Sequence, residues 1–398
     1  MSALGQIKRF NRLPTEFWAP VWKHPRLMLN MGRGVFRKYV LAKRDQKKPD
    51  GRSDALWLIS MRITHRCNHR CGICGQWGEK GYNKVEGAPK VMGEVPLETY
   101  KAMVDQTRPR RPHIYITGGE PFLYKDLVPL VNYMKKKGLT VQIVTNGVGL
   151  EKNAEQIVKN GWDMLCVSLD GPQQIHDKCR GTQGAFETML LGMLKVQGLK
   201  RKLGKRKPTF YTLTTISQTN QSVLFDTLRL ASTLKPDLMV VYYSWFTSEA
   251  LGKKHTEIMM RELGVEPFAW KSYVRDLSGL DTGLIEDQVR RIEAEDFGRP
   301  VVFVPKIEPF EVDRYYRHPE DFLGWKKCLA PWFQIDIMPN GDVVNCRDFP
   351  DIVMGNMKDK PLLEIYNNDK FRAFRKALMK APNGVFPTCS RCCGLMGY

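Results

Sequence analysis

Three cysteines crowd into eight residues of the stretch THRCNHRCGICGQW (64–77): Cys67, Cys71 and Cys74, spaced C-x3-C-x2-C. Three thiolates on one short loop can hold three irons of a [4Fe-4S] cube and leave the fourth iron to a small molecule. Ferredoxin-type clusters take four cysteines, so the missing fourth ligand is the informative part. Zinc is the competing reading, because His65 and His69 flank the loop and structural zinc sites mix Cys with His. Such sites usually add a second CxxC or a His pair, and the loop alone leaves both metals open.

A second set of thiols lies far along the chain. Cys328 precedes an apolar run (332–338), Pro339-Asn340-Gly341-Asp342 reads as a hairpin turn, and Val343 to Asn345 lead to Cys346. Asn-Gly is the strongest short hairpin signal, and a hairpin brings its two ends together. After a helical stretch (361–380), Cys389, Cys392 and Cys393 follow. Cys328, Cys346, Cys389 and Cys392 supply four ligands, enough for a closed [4Fe-4S] cluster or for tetrahedral zinc. Cys393 is a spare or an alternative fourth ligand. A cluster with four cysteines cannot take substrate without losing one, so electron transfer is its expected role. Cys166 reads as core filler. Cys179 reads first as buried filler, with hydrogen donation as its alternative, and beyond the clusters it is the one, weak, catalytic candidate.

These groups need a scaffold, and the hydrophobic period supplies one by switching between two and 3.6 residues. Strands are expected at 56–64, 113–117, 140–145, 163–169, 209–216 and 238–244. Helices are expected between them at 97–107, 123–137, 151–160, 184–200 and 221–234. Six strands alternating with helices predict a parallel sheet with right-handed crossovers. The fold class is α/β: a partial (β/α)6 TIM-like barrel with a small C-terminal α+β cluster-binding domain. In such barrels the chemistry collects at the C-terminal strand ends. The Cys loop follows the first strand and Thr117-Gly118-Gly119-Glu120-Pro121 the second. Asn146 follows the third strand, Ser168 and Asp170 the fourth, and Ser217 to Asn220 the fifth. The domains read as 1–54, a basic amphipathic segment and linker; 55–246, the barrel; 247–325, a bridging and substrate region with a helix near 284–295 and a strand at 301–305; and 326–398, the cluster domain.

In this order, the Cys loop, the Gly118-Gly119-Glu120-Pro121 turn and the VSLDGP…HDKCRG run (167–181) resemble the radical S-adenosylmethionine (SAM) superfamily. Ile73 stands where that family usually has an aromatic before the third Cys; an apolar side chain can still pack on an adenine. The C-terminal hairpin and CxxC resemble the auxiliary-cluster domains called twitch and SPASM. The resemblance implies that SAM chelates the open iron of the Cys67–Cys71–Cys74 cluster. It implies that Gly118, Gly119 and Glu120 hold the SAM ammonium. Asn146 is a polar amide over the sheet, Ser168 and Asp170 suit the ribose, and Arg180 could clamp the carboxylate bidentately. The function implied is reductive cleavage of SAM to a 5′-deoxyadenosyl radical that abstracts hydrogen from an unactivated C–H bond. Flavodoxin or ferredoxin is the expected reductant. The substrate is expected to be a small molecule or a lipid-like amphiphile undergoing oxidation or C–C bond formation. A zinc-binding nucleic-acid protein and an iron–sulfur electron carrier without SAM chemistry are the alternatives. The missing further cysteines before Tyr398 predict one auxiliary cluster.

Composition fits a globular chain of 398 residues, 42% hydrophobic, with a net charge of +20. Such a balance points to nucleic acid, an anionic surface or an anionic substrate. The basic run at 195–208 has no aromatic to stack on bases, so no nucleic acid is expected. No apolar run is long enough to span a bilayer, and the opening residues have no signal-peptide core. The expected location is the cytoplasm, with peripheral contact at the inner membrane face through residues 1–50 as a further reading. There Arg26, Arg33, Arg37 and Arg44 share one helical face and Met28, Met31, Val35 and Tyr39 the other, after Phe17, Trp18 and Trp22. A helix capping the barrel with a solvated basic face is the simpler reading.

Overall fold

The computed structural model of the protein describes residues 25–84, 93–392 and 394–396. Phe17, Trp18, Trp22 and Cys393 lie outside them. Helix α1 (Pro25–Phe36) runs on through a π-helical turn, Arg37–Ala42, before the chain enters the sheet. The parallel strands are β1 (Leu58–Arg62), β2 (His113–Thr117), β3 (Thr140–Thr145), β4 (Met164–Ser168), β5 (Thr209–Thr215), β6 (Leu238–Tyr242) and β7 (Val301–Val304). Between them lie α2 (Leu97–Thr107), α3 (Leu127–Lys136), α4 (Leu150–Lys159), α5 (Gln173–Arg180), α6 (Ala185–Lys202), α7 (Leu224–Thr233), α8 (Glu249–Leu263) and α9 (Thr282–Ala294).

The alternation of side chains along each strand decides what faces where. Ile59 and Met61, Ile114 and Ile116, Val141 and Ile143, and Leu165 and Val167 are buried in the main core. The other parity (Leu58, Tyr115, Gln142, Cys166, Leu213, Val240) lines the barrel interior. Leu27 of α1 packs against Met164, Leu238 and Val302 near the start of their strands, with Met28 and Met31 beside it. The helix therefore stops the N-terminal end of the barrel. Gly34 makes this close approach feasible: a Cβ there would sit 2.5 Å from the Trp57 ring.

Two features of the sheet differ from the sequence expectation. The strand expected in the bridging region is β7, which pairs in parallel with β6 and lengthens the barrel by one strand. The hairpin strand β8 (Gln334–Ile337) pairs in parallel with β1. It continues through β9 (Asp342–Val344) and β10 (Val353–Asn356) in antiparallel register. One ten-stranded sheet thus runs β10-β9-β8-β1-β2-β3-β4-β5-β6-β7. The C-terminal α+β segment, closed by α10 (Asp369–Lys380), shares the barrel's sheet instead of standing apart from it. Arg375 of α10 is fully buried and donates to the carbonyls of Pro331, Gly51 and Tyr366. No helix among the described residues is long and apolar enough to cross a membrane.

Candidate active site

Strand β1 delivers the Cys loop to the C-terminal pole, and the next strand end grips it. Gly119 N–H donates to Thr64 O (2.7 Å) and Glu120 N–H to Arg66 O (2.8 Å). Neither bond survives a side chain: a Cβ on Gly119 would lie 2.1 Å from Arg66 O, and one on Gly118 would lie 2.7 Å from Thr64 O. Gln76 Nε2 returns to Gly118 O at 2.8 Å. Cys67, Cys71 and Cys74 line one cavity of about 390 Å3 together with Gly118, Gly119, Glu120, Asn146, Ser168 and Arg180. Ile73 lines it too, as an apolar contact for an adenine requires.

Backbone donors converge on the sulfurs. Gln76 and Trp77 N–H point at Cys74 Sγ (3.4 Å each) and His69 N–H at Cys67 Sγ (3.5 Å). Burial pushes the Cys67 thiol up to about 11 and raises that of Cys71. Iron must therefore displace protons on binding, as it does at thiolate sites generally.

Glu120 is fully buried, and its carboxylate is already engaged. It accepts from Phe122 N–H (3.1 Å), Thr145 Oγ1 (2.7 Å) and Asn146 N–H (2.8 Å). Burial pushes it up to about 7, against the pull of those three bonds. Asn146 bonds Asn68 of the Cys loop through Nδ2 (2.8 Å), which ties the third strand end to the first. Asp170 and Arg180 pair with each other at 2.6 Å, largely buried. Asp170 also accepts from Thr215 N–H at 3.0 Å. Arg180 Nη1 lies 3.8 Å from Cys71 Sγ, and its Nε is buried without a partner. That guanidinium keeps donors to spare. Ser168 lines the cavity at the end of β4. Cys179 is not brought in: its thiol faces Ser217 Oγ at 4.0 Å, and burial pushes it up to about 11.

The four distal cysteines line a second cavity of about 250 Å3. Burial pushes Cys328 up to about 11 and Cys389 to about 12, and raises Cys346 well above its ordinary value. The two cavities share Tyr242 and Asp348 in their walls.

Several residues had no signal in the sequence. Arg275, from the bridging region, donates to Ile73 O (2.6 Å) and Gly72 O (3.4 Å) and so holds the Cys loop from above. Tyr273 presses on Gly75, where a Cβ would meet its ring at 2.5 Å. Arg62 is buried between the Tyr82 hydroxyl and Asp348, at 3.9 Å from the latter. His255 of α8 is 2% exposed and lines the distal cavity, with neither ring nitrogen partnered. Phe349 and Phe386 stand against it at 5.5 Å each.

The family comparisons agree with this geometry. The radical SAM superfamily profile matches residues 61–223, and an iron–sulfur cluster-binding SPASM profile matches 328–393. The chain belongs to the radical SAM superfamily. This radical SAM protein carries a [4Fe-4S] cluster with SAM and an auxiliary iron–sulfur cluster, which removes the zinc reading. An AdoMet-dependent heme synthase of Methanosarcina barkeri is 26% identical over 84% of this chain and 88% of its own. An Fe-coproporphyrin III synthase of the same organism is 32% identical over 37% of this chain. The heme synthase of Oleidesulfovibrio alaskensis is 32% identical over 46% of this chain. The match spans only 36% and 44% of the length of those last two relatives. Among solved structures, Streptococcus suis SuiB superimposes with a TM-score of 0.56 at 15% identity, over 81% of this chain and 68% of that one. The protein anSMEcpe with bound AdoMet gives 0.53 at 16%, over 82% and 84%. Both show the fold.

The donor set and cradle fit the SAM-bound cluster. Three half-buried thiols share a cavity with a glycine turn too tight for any Cβ and a guanidinium with an unsatisfied N–H.

Proposed function

We propose that this enzyme abstracts hydrogen from an unactivated C–H bond of an amphiphilic small molecule, in an oxidation or a C–C bond formation. In this reading Cys67, Cys71 and Cys74 hold the catalytic cluster, and Cys328, Cys346, Cys389 and Cys392 hold the auxiliary one. Bound SAM supplies the radical, and the protein's own contribution is positioning and exclusion of water. The Gly118-Gly119 backbone receives the ammonium, with Glu120 as its anion. Arg180 meets the carboxylate with the donors left over from Asp170. Ser168 stands where the ribose would lie. A flavodoxin or ferredoxin delivers the electron.

The observation that carries the substrate class is the wall that the two cavities share at Tyr242 and Asp348. The wall below that junction is apolar, with Tyr211, Leu213 and Val240 among its side chains. Polar groups gather at the junction, where Asp348 and Arg62 lie within 3.9 Å. An apolar body with a polar head suits such a space. Heme precursors are amphiphiles of this kind, and the match to a heme synthase over most of both chains favours them as the first to try.

The test begins with SAM, dithionite and anaerobically reconstituted protein. Release of 5′-deoxyadenosine is expected, and its absence refutes the radical reading. Comparison of metabolites and lipids between wild-type and deletion cells then identifies the substrate. A peptide as the only changed species would overturn the amphiphile. Porphyrin titration followed by visible absorption tests the heme-precursor case, and an unshifted spectrum rejects it.

A further inference from the structure

Helix α1 is apolar on two sides. Its inner side, with Leu27, Met28 and Met31, stops the barrel. Its outer side leaves Leu29, Phe36 and Val40 exposed at 58%, 54% and 50%. Arg33, Lys43 and Lys47 are exposed beside them. Leu29, Arg33 and Phe36 follow one another at steps of four and three and so share one stripe of α1; Val40 follows in the π-helical turn, Lys43 in the short helical turn after it and Lys47 just beyond. A helix apolar on both faces is normally covered on both, and nothing among the described residues covers this one.

The topology enlarges the patch. Because α1 packs on the strand starts, it lies at the pole where the helix-to-strand loops enter the sheet. Those loops present Arg108 and Arg111 before β2, Lys202, Lys205 and Arg206 before β5, and Lys235 before β6, all exposed. Glu295 and Asp296 before β7 are exposed acids at the same pole, fewer than the bases around them, and two other acids are engaged. Asp163 is buried under Lys135 and Lys207, and Asp45 is buried under Arg44 and Lys48. An apolar stripe within a positively charged face results.

We propose that the barrel's N-terminal pole is a docking face for an anionic lipid bilayer. Leu29, Phe36 and Val40 enter the headgroup–acyl boundary, and the surrounding Lys and Arg meet the lipid phosphates. A second copy of this chain fits less well, because like charge would face like charge on a protein of net charge +20. Nucleic acid would leave the apolar stripe unused. The proposal deepens the amphiphile reading and rests on it for its purpose. The same helix walls the distal cavity with Met31, Val35 and Tyr39, so the element that meets lipid also borders the space assigned to the substrate.

The test uses the full-length reconstituted protein and vesicles of phosphatidylcholine with or without phosphatidylglycerol, in the absence of SAM and reductant. Cosedimentation with the anionic vesicles is expected, weakening as salt rises. A Leu29→Ser/Phe36→Ser/Val40→Ser variant should lose it. Lys43→Gln/Lys47→Gln should weaken it on the order of fivefold per charge removed. This second variant keeps the helix surface polar and guards against misfolding of the first, which its melting curve would reveal. Equal recovery on both lipid compositions overturns the proposal. So does wild-type binding by the folded triple variant, or tighter retention on duplex DNA or RNA than on vesicles. Deoxyadenosine release measured without vesicles is a separate readout, so failure of docking and failure of radical chemistry are told apart.

Discussion

Changing Asp170 to Asn would separate what the Asp170–Arg180 pair does for the fold from what it does for SAM. The pair is 2.6 Å long, with side chains 4% and 14% exposed. The substituted amide could keep the bond from Thr215 N–H through its oxygen. Its nitrogen would then face Arg180 Nη2, donor against donor, and leave a buried cation unpaired. Breaking a buried pair costs ~3–5 kcal/mol. The neighbouring cavity lets water reach the guanidinium, which places Asp170→Asn near the lower end, at ~3 kcal/mol. With an unfolding entropy of ~2.1 cal/mol/K per residue over this length, the melting temperature should fall by about 3–4 °C. The double variant Asp170→Asn/Arg180→Gln restores a neutral, hydrogen-bondable pair and should recover most of that loss. It should not recover SAM affinity, because the carboxylate clamp is gone, at ~1.5–3 kcal/mol or roughly 10–100-fold in Kd. Thermal unfolding and equilibrium dialysis with labelled SAM, on protein of matched iron content, read both quantities. An unshifted melting temperature in Asp170→Asn refutes the cost assigned to the pair. Recovered SAM affinity in the double variant refutes the role given to Arg180.

Other outcomes follow from the same geometry. Cys67→Ala/Cys71→Ala/Cys74→Ala should reduce iron from about eight to about four per chain. Cys328→Ala/Cys346→Ala should do the same while sparing SAM cleavage, and elemental analysis with a deoxyadenosine assay distinguishes them. Gly119→Ala should abolish SAM binding while the protein still folds, since its Cβ meets a backbone oxygen that cannot move aside; dialysis checks this. Burial holds Glu120 near 7, so the free enzyme must lose a proton to present its anion. SAM affinity should therefore rise with pH up to about 7 and level off above it, and Glu120→Gln should flatten that profile in the same titration. His255→Leu should keep both clusters yet shift the auxiliary cluster's midpoint potential downward, because a buried, unpartnered imidazole in the cluster cavity's wall is lost. Redox titration followed by electron paramagnetic resonance reads it.

Much of the scaffold was legible because βα units repeat a local signal. Helix Leu97–Thr107 and strands His113–Thr117 and Thr140–Thr145 fall where the period placed them. The cavity around Cys67, Cys71 and Cys74 was legible for the same reason: each strand end contributes one short motif to one pole. Pairings across a single loop were harder. No motif announced that Asp170 and Arg180 also pair with each other, which follows from α5 turning the chain back. Arg275, Tyr273 and His255 were invisible because they reach their partners across some 200 residues or none. No period or motif marks such contacts. The pairing of β8 with β1 was hidden likewise, since a hairpin signal specifies its own two strands and not the neighbour it joins. The outward Leu29, Phe36 and Val40 were missed because the basic positions between them suggested one polar face.

That β8–β1 pairing has a practical consequence for dissecting the enzyme. Truncation before residue 326 is the obvious way to ask what the auxiliary cluster contributes. It would instead strip the partner from the strand that carries the catalytic loop and bare a row of unpaired N–H and C=O groups beside it. Inactivity or aggregation of such a fragment would report a torn sheet and say nothing of electron flow. Point changes at the distal cysteines keep β8 in place and pose the intended question.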